Sequence, residues 1–327
     1  MQNLPALILA LLTLLLAGCA DTSFYSLQTP AASQADQYVE IEGLSQLPGK
    51  KIAITSFGIE YDTKVVYPLS YCHGYQLPGG LYIIRHFHKE ITFDFSKERM
   101  QVLADKAHTK LVTDLEAAGY DIIPYETYKD TPAYRSLIEL VGKESPVSIA
   151  FKFGDPENLI NGEALVFAPT SLVWYSPPLG EVGSRIGDTL TSVGSEILYA
   201  RRGFSGGQAV SQAEVDLADA LNATLLKVYY VISPVRTYVE TRFLEGASPV
   251  EGRTIVGSGE TRFAFRTPGA SSTHYTFSKK KPPRDGNAFV RLKKDVQLDT
   301  ALKSDQDIED HLDAVREMLM TKLMAGK

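Results

Sequence analysis

Strand-like and helix-like patterns alternate between residues 51 and 153, and their order restricts the fold more than any other feature of this chain. Residues 51–60 alternate isoleucines with smaller residues, which predicts a strand. The signals that follow are a β-rich excursion at 64–95 that turns at 78–80, an amphipathic helix at 96–119, a strand at 120–125, a short helix at 131–141 and a strand at 147–153. This order predicts an α+β fold, a mixed sheet with helices packed on it.

The second half of the chain also contains strand and helix signals, with longer gaps between them. Residues 224–232 are apolar at consecutive positions apart from Lys227, which is typical of a central strand buried on both faces. Residues 211–214 have the spacing of a capping box, which predicts that a helix begins there. We therefore expect an α/β domain at 50–153 and a second α/β half at 154–327, with continuity between the two left open.

The N-terminus has the pattern of an export signal. Leu4 to Leu16 is an apolar run without a charge, and it is too short to span a bilayer as a helix. The segment Leu16-Ala17-Gly18-Cys19 resembles the lipobox of bacterial lipoproteins. The resemblance implies that residues 1–18 are removed and that Cys19 becomes a lipidated N-terminus. Ala20 stands where an aspartate commonly retains such proteins at the inner membrane, which implies the periplasmic side of the outer membrane.

The segment after the lipobox predicts a flexible tether over residues 19–49. It contains Ser, Gln, Ala, Pro and Asp, with no Lys or Arg and few large apolar residues. Such a composition buries too little apolar surface to offset the entropy that ordering removes. We expect the tether to let the body stand away from the membrane.

Charge and cysteine usage exclude some classes of function. The net charge is −6, so attraction to nucleic acid is not expected. Only Cys72 remains once Cys19 is lipidated, so no internal disulfide forms and stability must come from a core. Cys72 itself is a buried small residue, a free thiol or an intermolecular link.

The basic run Lys279–Arg284 is a solvated loop or a contact for lipid phosphates or an acidic partner.

No phosphate-binding loop, nucleophile elbow or zinc-protease motif is present in the sequence. The weak candidates for a metal site are His86 and His88, which lie two apart in a predicted strand and therefore face the same side. Glu90 continues that face, and Cys72 and His73 lie in the neighbouring arm. The alternative is that both histidines are partly exposed strand residues, and we expect no catalytic residue, no resident metal and no cofactor.

The stretch from residue 51 to 153 resembles the periplasmic α/β domain of the curli-secretion-channel lipoprotein and related TolB N-terminal-type domains. The resemblance rests on KKIAITSFGI, LVTDLEAAGYDIIPYETY and VSIAFKF. Channels of the curli type also insert β-hairpins into the outer membrane. Residues 163–207 are the nearest candidate for such a segment, although Arg185, Arg201 and Arg202 argue against contact with lipid.

Together these features predict a non-catalytic outer-membrane lipoprotein that acts as a periplasmic assembly or scaffold subunit of an envelope complex. Its partners would be the membrane, through the lipid, and other envelope proteins, with a homo-oligomer left open. One alternative is a subunit of an oligomeric secretion channel of the curli type. Another is an envelope hydrolase or metal-dependent enzyme, which requires Cys72, His86 or His88 to converge with a carboxylate in a cleft.

Overall fold

The structure is a computed structural model, and it describes residues 25–46, 49–76, 82–92, 96–153, 160–175, 209–238, 251–256, 261–270, 286–293, 296–298 and 305–326. The helices in these ranges are α1 (Ala31–Tyr38), α2 (Lys97–Ala117), α3 (Tyr125–Tyr128), α4 (Pro132–Val141), α5 (209–221) and α6 (Asp305–Ala325), with a 3-10 turn at Leu44–Gln46.

The strands, in chain order, are β1 (Val39–Glu42), β2 (Lys51–Gln76), β3 (Tyr82–Thr92), β4 (Asp121–Ile122), β5 (Gly142–Lys143), β6 (Val147–Phe153), β7 (Ile160–Phe167), β8 (Trp174–Tyr175), β9 (Thr224–Tyr238), β10 (Glu251–Val256), β11 (Arg262–Arg266), β12 (Asn287–Leu292) and β13 (Gln297–Leu298). The predicted α+β fold is confirmed. Among the described residues, no helix combines the length and the apolar character that a membrane crossing requires.

One mixed sheet contains strands from both halves of the chain. Its main path runs β1-β12-β11-β9-β2-β7-β6. The two central strands β2 and β9 are parallel, with Ile52 beside Thr224 and Tyr61 beside Ile232, whereas the other neighbours on this path are antiparallel. The continuity that the sequence left open is therefore present, because the central pair joins residues 50–153 to residues 154–327.

One face of the sheet is covered by α1, α2 and α6. The core on this side includes Phe57 and Ile59 of β2, Leu111 of α2 and Leu319 of α6, all of them buried. Each such side chain contributes about 1.5–3 kcal/mol when it is removed from water. The apolar positions of α2, which the sequence predicts as a helix, and those of α6 therefore dock both helices on the sheet.

The opposite face is covered at its lower end by α3, α4 and α5. Tyr128 of α3, Tyr134 of α4 and Leu217 of α5 pack there on Ala53 of β2 and Leu225 of β9. The lower end of the sheet is the end at which β2 and β9 begin. At the opposite end the two strands run on beyond these helices into hairpins.

The prediction of a flexible tether is wrong for residues 25–46. Tyr25, Tyr38 and Val39 are buried in the main core, and β1 pairs antiparallel with β12 at the edge of the sheet. A few large side chains and one strand pairing suffice to order this segment, although its average composition is polar. Residues 19–24 and the signal segment 1–18 lie outside the described residues.

Two local predictions also differ from the structure. The strand predicted at 120–125 is reduced to β4, which runs parallel to the start of β2, and α3 begins at Tyr125. The capping box predicted at 211–214 does not form, because the helix already includes residue 209 and Ser211 therefore lies inside it. The β-rich excursion predicted at 64–95 is present as the antiparallel pairing of β2 from Lys64 onward with β3, whereas its predicted turn at 78–80 lies outside the described residues.

Candidate functional site

The hairpin of β2 and β3 extends far along the chain for a strand pair in an α+β protein. β2 is 26 residues long, whereas strands average about five or six residues. Its residues 51–61 pair with β9, and from Lys64 onward it pairs with β3, ending with Gln76 opposite Tyr82. At roughly 3.3 Å per residue, residues 64–76 span about 40 Å.

Three hairpins leave the sheet at the same end. β2 and β9 are parallel, and β6 runs parallel to β2 because both are antiparallel to β7. The chain therefore leaves β2, β6 and β9 at one end of the sheet and returns through β3, β7 and β10. We call this the hairpin end.

Three strands at the hairpin end have only one partner within the described part of the chain. There β3 pairs with β2 alone, β6 pairs with β7 alone, and the two-residue β13 pairs with β10 alone. The outer edge of such a strand offers a row of backbone donors and acceptors to an extended segment of another protein. The hairpin end therefore has the chemistry of a docking site for strands.

The weak metal candidates lie in this first hairpin. His86 is opposite Ser70 and His88 is opposite Pro68, so the two histidines occupy alternate positions of β3, while Cys72 is opposite Ile84. The side chains of 67–91 lie outside the described residues, so a metal site involving Cys72, His73, His86, His88 and Glu90 stays a prediction. Within the described residues, His, Cys, Asp and Glu form no group of three or more that could hold a metal ion.

Three other sequence candidates also fall outside the described residues. They are the lipidation residue Cys19, the basic run Lys279–Arg284 and most of the segment proposed to approach lipid, 176–207. The start of that last segment, residues 163–175, lies in the sheet and its neighbourhood, where β8 holds Trp174 and Tyr175 in the core.

The face of the sheet opposite α2 and α6 carries buried charges that the sequence reading did not identify. Glu214 of α5 is 1% exposed at its side chain, and it bridges Lys227 of β9 at 2.9 Å and Arg266 of β11 at 3.0 Å. Arg266 also donates a hydrogen bond to the carbonyl oxygen of Ser211 at 3.2 Å. A buried ion is tolerated only when it is paired, so these contacts fix α5 to two strands of the sheet.

The same face continues toward the β1 edge with a second group of charges. Arg262 of β11 and Arg291 of β12 are directly opposite each other and both are buried. Arg291 forms ion pairs with Glu40 and Glu42 of β1, at 3.4 Å for Glu42. Burial raises the pKa of Glu42, and Arg291 partly offsets this. These carboxylates hold the N-terminal strand on the sheet instead of lying in a solvated tether.

Glu60 of β2 completes this charged face near the hairpin end. It is 2% exposed, and the hydroxyl of Tyr229 on β9 donates a hydrogen bond to its Oε2. We define the charged face by Glu60, Lys227, Arg262, Arg266 and Arg291. Its ions are buried in pairs and networks that join strands and α5, which is an arrangement that stabilises structure and fixes register.

Ion pairs also join α2 to α6 across the other face. Lys110 contacts Glu309 at 2.9 Å, and Arg316 contacts Asp114 at 2.8 Å. The lysine hydrogen bonds lower the pKa of Glu309. These side chains are partly exposed, and such pairs contribute about 0.2–1 kcal/mol each, so they set helix alignment more than stability.

Comparison of this chain with models of protein families, with curated proteins and with solved structures finds no match. The resemblances to bacterial lipoproteins and to curli-type periplasmic domains therefore rest on the sequence segments that carry them.

Proposed function

We propose that this protein is a non-catalytic, lipid-anchored subunit of an envelope assembly, held at the periplasmic side of the outer membrane. The hairpin end is the observation that carries this proposal. Three co-directed hairpins, one of them spanning about 40 Å beyond the central strand pairing, give a body of modest size a large surface for neighbouring subunits. The lipobox-like segment ending at Cys19 supports the anchor.

The partner chemistry follows from the strand edges of β3 and β6. Within the described residues each has one neighbour, and an extended segment that pairs with the other edge gains a ladder of backbone hydrogen bonds. Specificity would come from the alternating side chains of the added strand. The scaffold role therefore requires no reactive group, only a rigid sheet from which the hairpins project.

A subunit of an oligomeric secretion channel of the curli type is the second candidate, and one observation favours it. A closed barrel needs antiparallel strands supplied in pairs, and the hairpin end supplies such pairs all pointing the same way. The two candidates differ in stoichiometry, because a channel requires a ring of subunits and a scaffold does not.

Particle mass and shape separate these candidates. We would extract the full-length lipidated protein in mild detergent and measure it by light scattering and electron microscopy. A closed ring of many subunits supports the channel and contradicts the simple scaffold subunit. A monomer or dimer contradicts the channel and leaves the scaffold, whose partners are then sought by crosslinking.

A shortened hairpin tests whether the hairpin end mediates assembly. Val66 and Glu90 are directly opposite, so an Asn-Gly turn can replace residues 67–89 without a change of register. We expect this variant to keep the thermal unfolding of the body and to lose its envelope partners or its ring. A variant that retains every partner would contradict the proposed surface.

The two cysteines test the anchor as a matched pair. Cys19→Ser should abolish incorporation of labelled palmitate and release the protein from membranes, whereas Cys72→Ser should leave both unchanged. Labelling that survives Cys19→Ser would contradict the lipoprotein assignment.

A further inference from the structure

The N-terminal segment Tyr25–Gln46, which we call the strap, is fixed firmly to the body. Tyr25 is 5% exposed, and its ring meets the rings of Tyr38 and His311 edge-on, with centroid distances of 6.2 and 5.8 Å. Burial raises the pKa of the Tyr25 hydroxyl to about 12. Tyr25 is therefore a docked core residue close to the point where the described chain begins.

A buried glutamine orders the turn between Tyr25 and α1. The side-chain amide of Gln34 donates to the carbonyl oxygens of Ser26 and Thr29, both at 2.9 Å, and its oxygen accepts from the backbone N–H of Ser26 at 3.3 Å. The turn cannot move away from α1 without leaving these backbone groups to find other partners.

The far end of α1 is held by α6 and β12. Lys322 of α6 pairs with Asp36 at 2.6 Å, and Lys293 donates to the carbonyl oxygen of Asp36 at 2.7 Å. The backbone N–H of Lys293 also donates to the carbonyl oxygen of Tyr38 at 2.9 Å. The strap is thus part of the folded body from Tyr25 onward.

Covalent geometry then limits the distance between the body and the lipidation residue. Six residue steps separate Cys19 from Tyr25. An extended chain covers at most about 3.6 Å per step, so Cys19 lies within roughly 22 Å of Tyr25 in any conformation. The tether expected from the sequence, which would span tens of residues, is reduced to this short reach.

We propose that the corner of the molecule formed by α1 and α6 has a lipid surface as its partner, because the strap holds this corner close to the lipid anchor. The inference rests on the lipidation of Cys19 proposed above. Because the anchor lies within its short reach of Tyr25, this corner is held at the membrane, whereas the opposite edge of the sheet is kept away from it. The body is therefore restricted to orientations that keep this corner near the membrane, and it does not swing on a long linker.

The charges at this corner indicate the kind of lipid surface. A shallow depression of about 300 Å³ beside Tyr25 and Leu27 is lined by Asp310, Asp313 and Glu317 and by Arg316, which pairs with Asp313, so that the carboxylates outnumber the one base. Carboxylates at a membrane surface are repelled by anionic lipids within about a Debye length. A surface rich in zwitterionic phospholipid, such as phosphatidylethanolamine, therefore suits this corner.

Two exposed leucines mark the near and far sides of the molecule. Leu27 is 45% exposed and lies two residues from Tyr25, whereas Leu140 is 51% exposed and lies at the end of α4. Leu140 lies on the helix that packs through Tyr134 and Leu137 on the other face of the sheet, over Ala53 of β2 and Leu225 of β9. Four strand spacings of about 4.8 Å separate β1 from β2, which is roughly 19 Å along the sheet, and the thickness of the sheet adds to this distance.

Energy transfer to the membrane tests the orientation. We would place a non-natural amino acid carrying a fluorophore at Leu27 or Leu140, which leaves both cysteines unchanged. The lipidated protein would be reconstituted in phosphatidylethanolamine-rich vesicles that contain acceptor-labelled lipid. We expect transfer from position 27 to exceed transfer from position 140 by at least about twofold, because position 140 belongs to a helix that packs about four strand spacings farther along the sheet and on its opposite face.

The control lengthens the segment between Cys19 and the strap, or releases the strap from the body. A flexible insertion of about 20 Gly/Ser residues after Asp21 gives a tether with a span of roughly 28 Å r.m.s.. This insertion should remove most of the difference between the two positions. Tyr25→Ala should act in the same direction by undocking the strap, whereas Tyr25→Phe keeps the ring and should behave like the parent protein.

The mass of the mature N-terminal peptide separates two kinds of failure. An acylated Cys19 with equal transfer from both positions, or with a difference that survives the insertion, would overturn the orientation and leave the proposed function standing. A Cys19 without an acyl group would overturn both.

Discussion

At the scale of single residues, the buried carboxylate of Glu214 is the group on which two residues of the charged face depend. Its two oxygens are shared between Lys227 and Arg266, so one acid serves as counter-ion to two bases. Removing one partner of a buried ion pair destabilises a protein by about 3–5 kcal/mol. We expect Glu214→Ala to lower the free energy of unfolding in urea by about this much. The control is Asp216, an exposed residue two positions later in the same helix. Asp216→Ala should lower the free energy of unfolding by less than about 0.5 kcal/mol.

Gly58 of β2 leaves space for the side chain of Trp174 to pack against the central strand. A Cβ at this position would lie 2.7 Å from Nε1 of Trp174 and 2.9 Å from Cγ1 of Val166. We expect Gly58→Ala to destabilise the fold by about 1–3 kcal/mol through overpacking, measured by urea unfolding. Gly49→Ala, which meets nothing within 4 Å, should be close to neutral. Equal effects of the two substitutions would contradict this packing.

His311 gives the strap a dependence on pH. Burial lowers its pKa, although Asp307 and Asp310 act in the opposite direction. The unfolded state therefore binds the proton more readily. The contribution of neutral His311 to stability is fully present above about pH 6.5 and is lost as pH falls below that value. We expect His311→Gln to flatten the difference in urea stability between about pH 7.5 and pH 5.5. An unchanged difference would mean that other groups, such as the half-buried His108, control it.

At the scale of elements, the strap is the part of the fold that most depends on a single side chain for its local order. Gln34→Ala removes three hydrogen bonds from the turn before α1. We expect residues 25–30 to become several-fold more sensitive to hydrogen exchange or proteolysis, with little change in the global unfolding free energy. Gln28→Ala, at an exposed position of the same turn, should leave both unchanged. Protection that survives Gln34→Ala would show that Tyr25 alone holds the turn.

The strands and helices differ in how well local sequence patterns predict them. Strands at 51–60 and 147–153 and the helix at 96–119 carry local periodicity, and the strand at 224–232 is a nearly continuous apolar run, so these local patterns are sufficient to predict them. β1 has no such signal, because its stability comes from pairing with β12, which lies about 250 residues away in the chain.

The candidate site was less accessible to sequence reasoning. Arg262 and Arg266 alternate with phenylalanines, which is typical of a strand, but burial of the arginines depends on other elements, as the pairing of Arg266 with Glu214 shows. The common direction of the hairpins depends on the parallel pairing of β2 with β9, which no local pattern encodes. A pattern of alternating charges across neighbouring strands could have indicated the charged face once the strand order was known.

At the scale of the whole molecule, a single sheet connects the strap at one edge with the projecting hairpins at one end. The sheet is stiffened by helices on one face and by buried ion pairs on the other. In the proposed function, a rigid body of this kind would transmit the position of a lipid anchor to the hairpins, which would then present their strand edges at a limited distance from a membrane.

Photocrosslinking in the intact cell envelope tests whether the protein acts through the hairpin end. A photoreactive amino acid would be placed at Ser70 or Tyr71, consecutive positions of the β2 arm, and at Leu140 on α4 as the matched control. We expect defined protein adducts from the hairpin positions and none from Leu140. Adducts from Leu140 alone, or from no position in a protein that is folded and lipidated, would contradict a function exercised through the hairpin end.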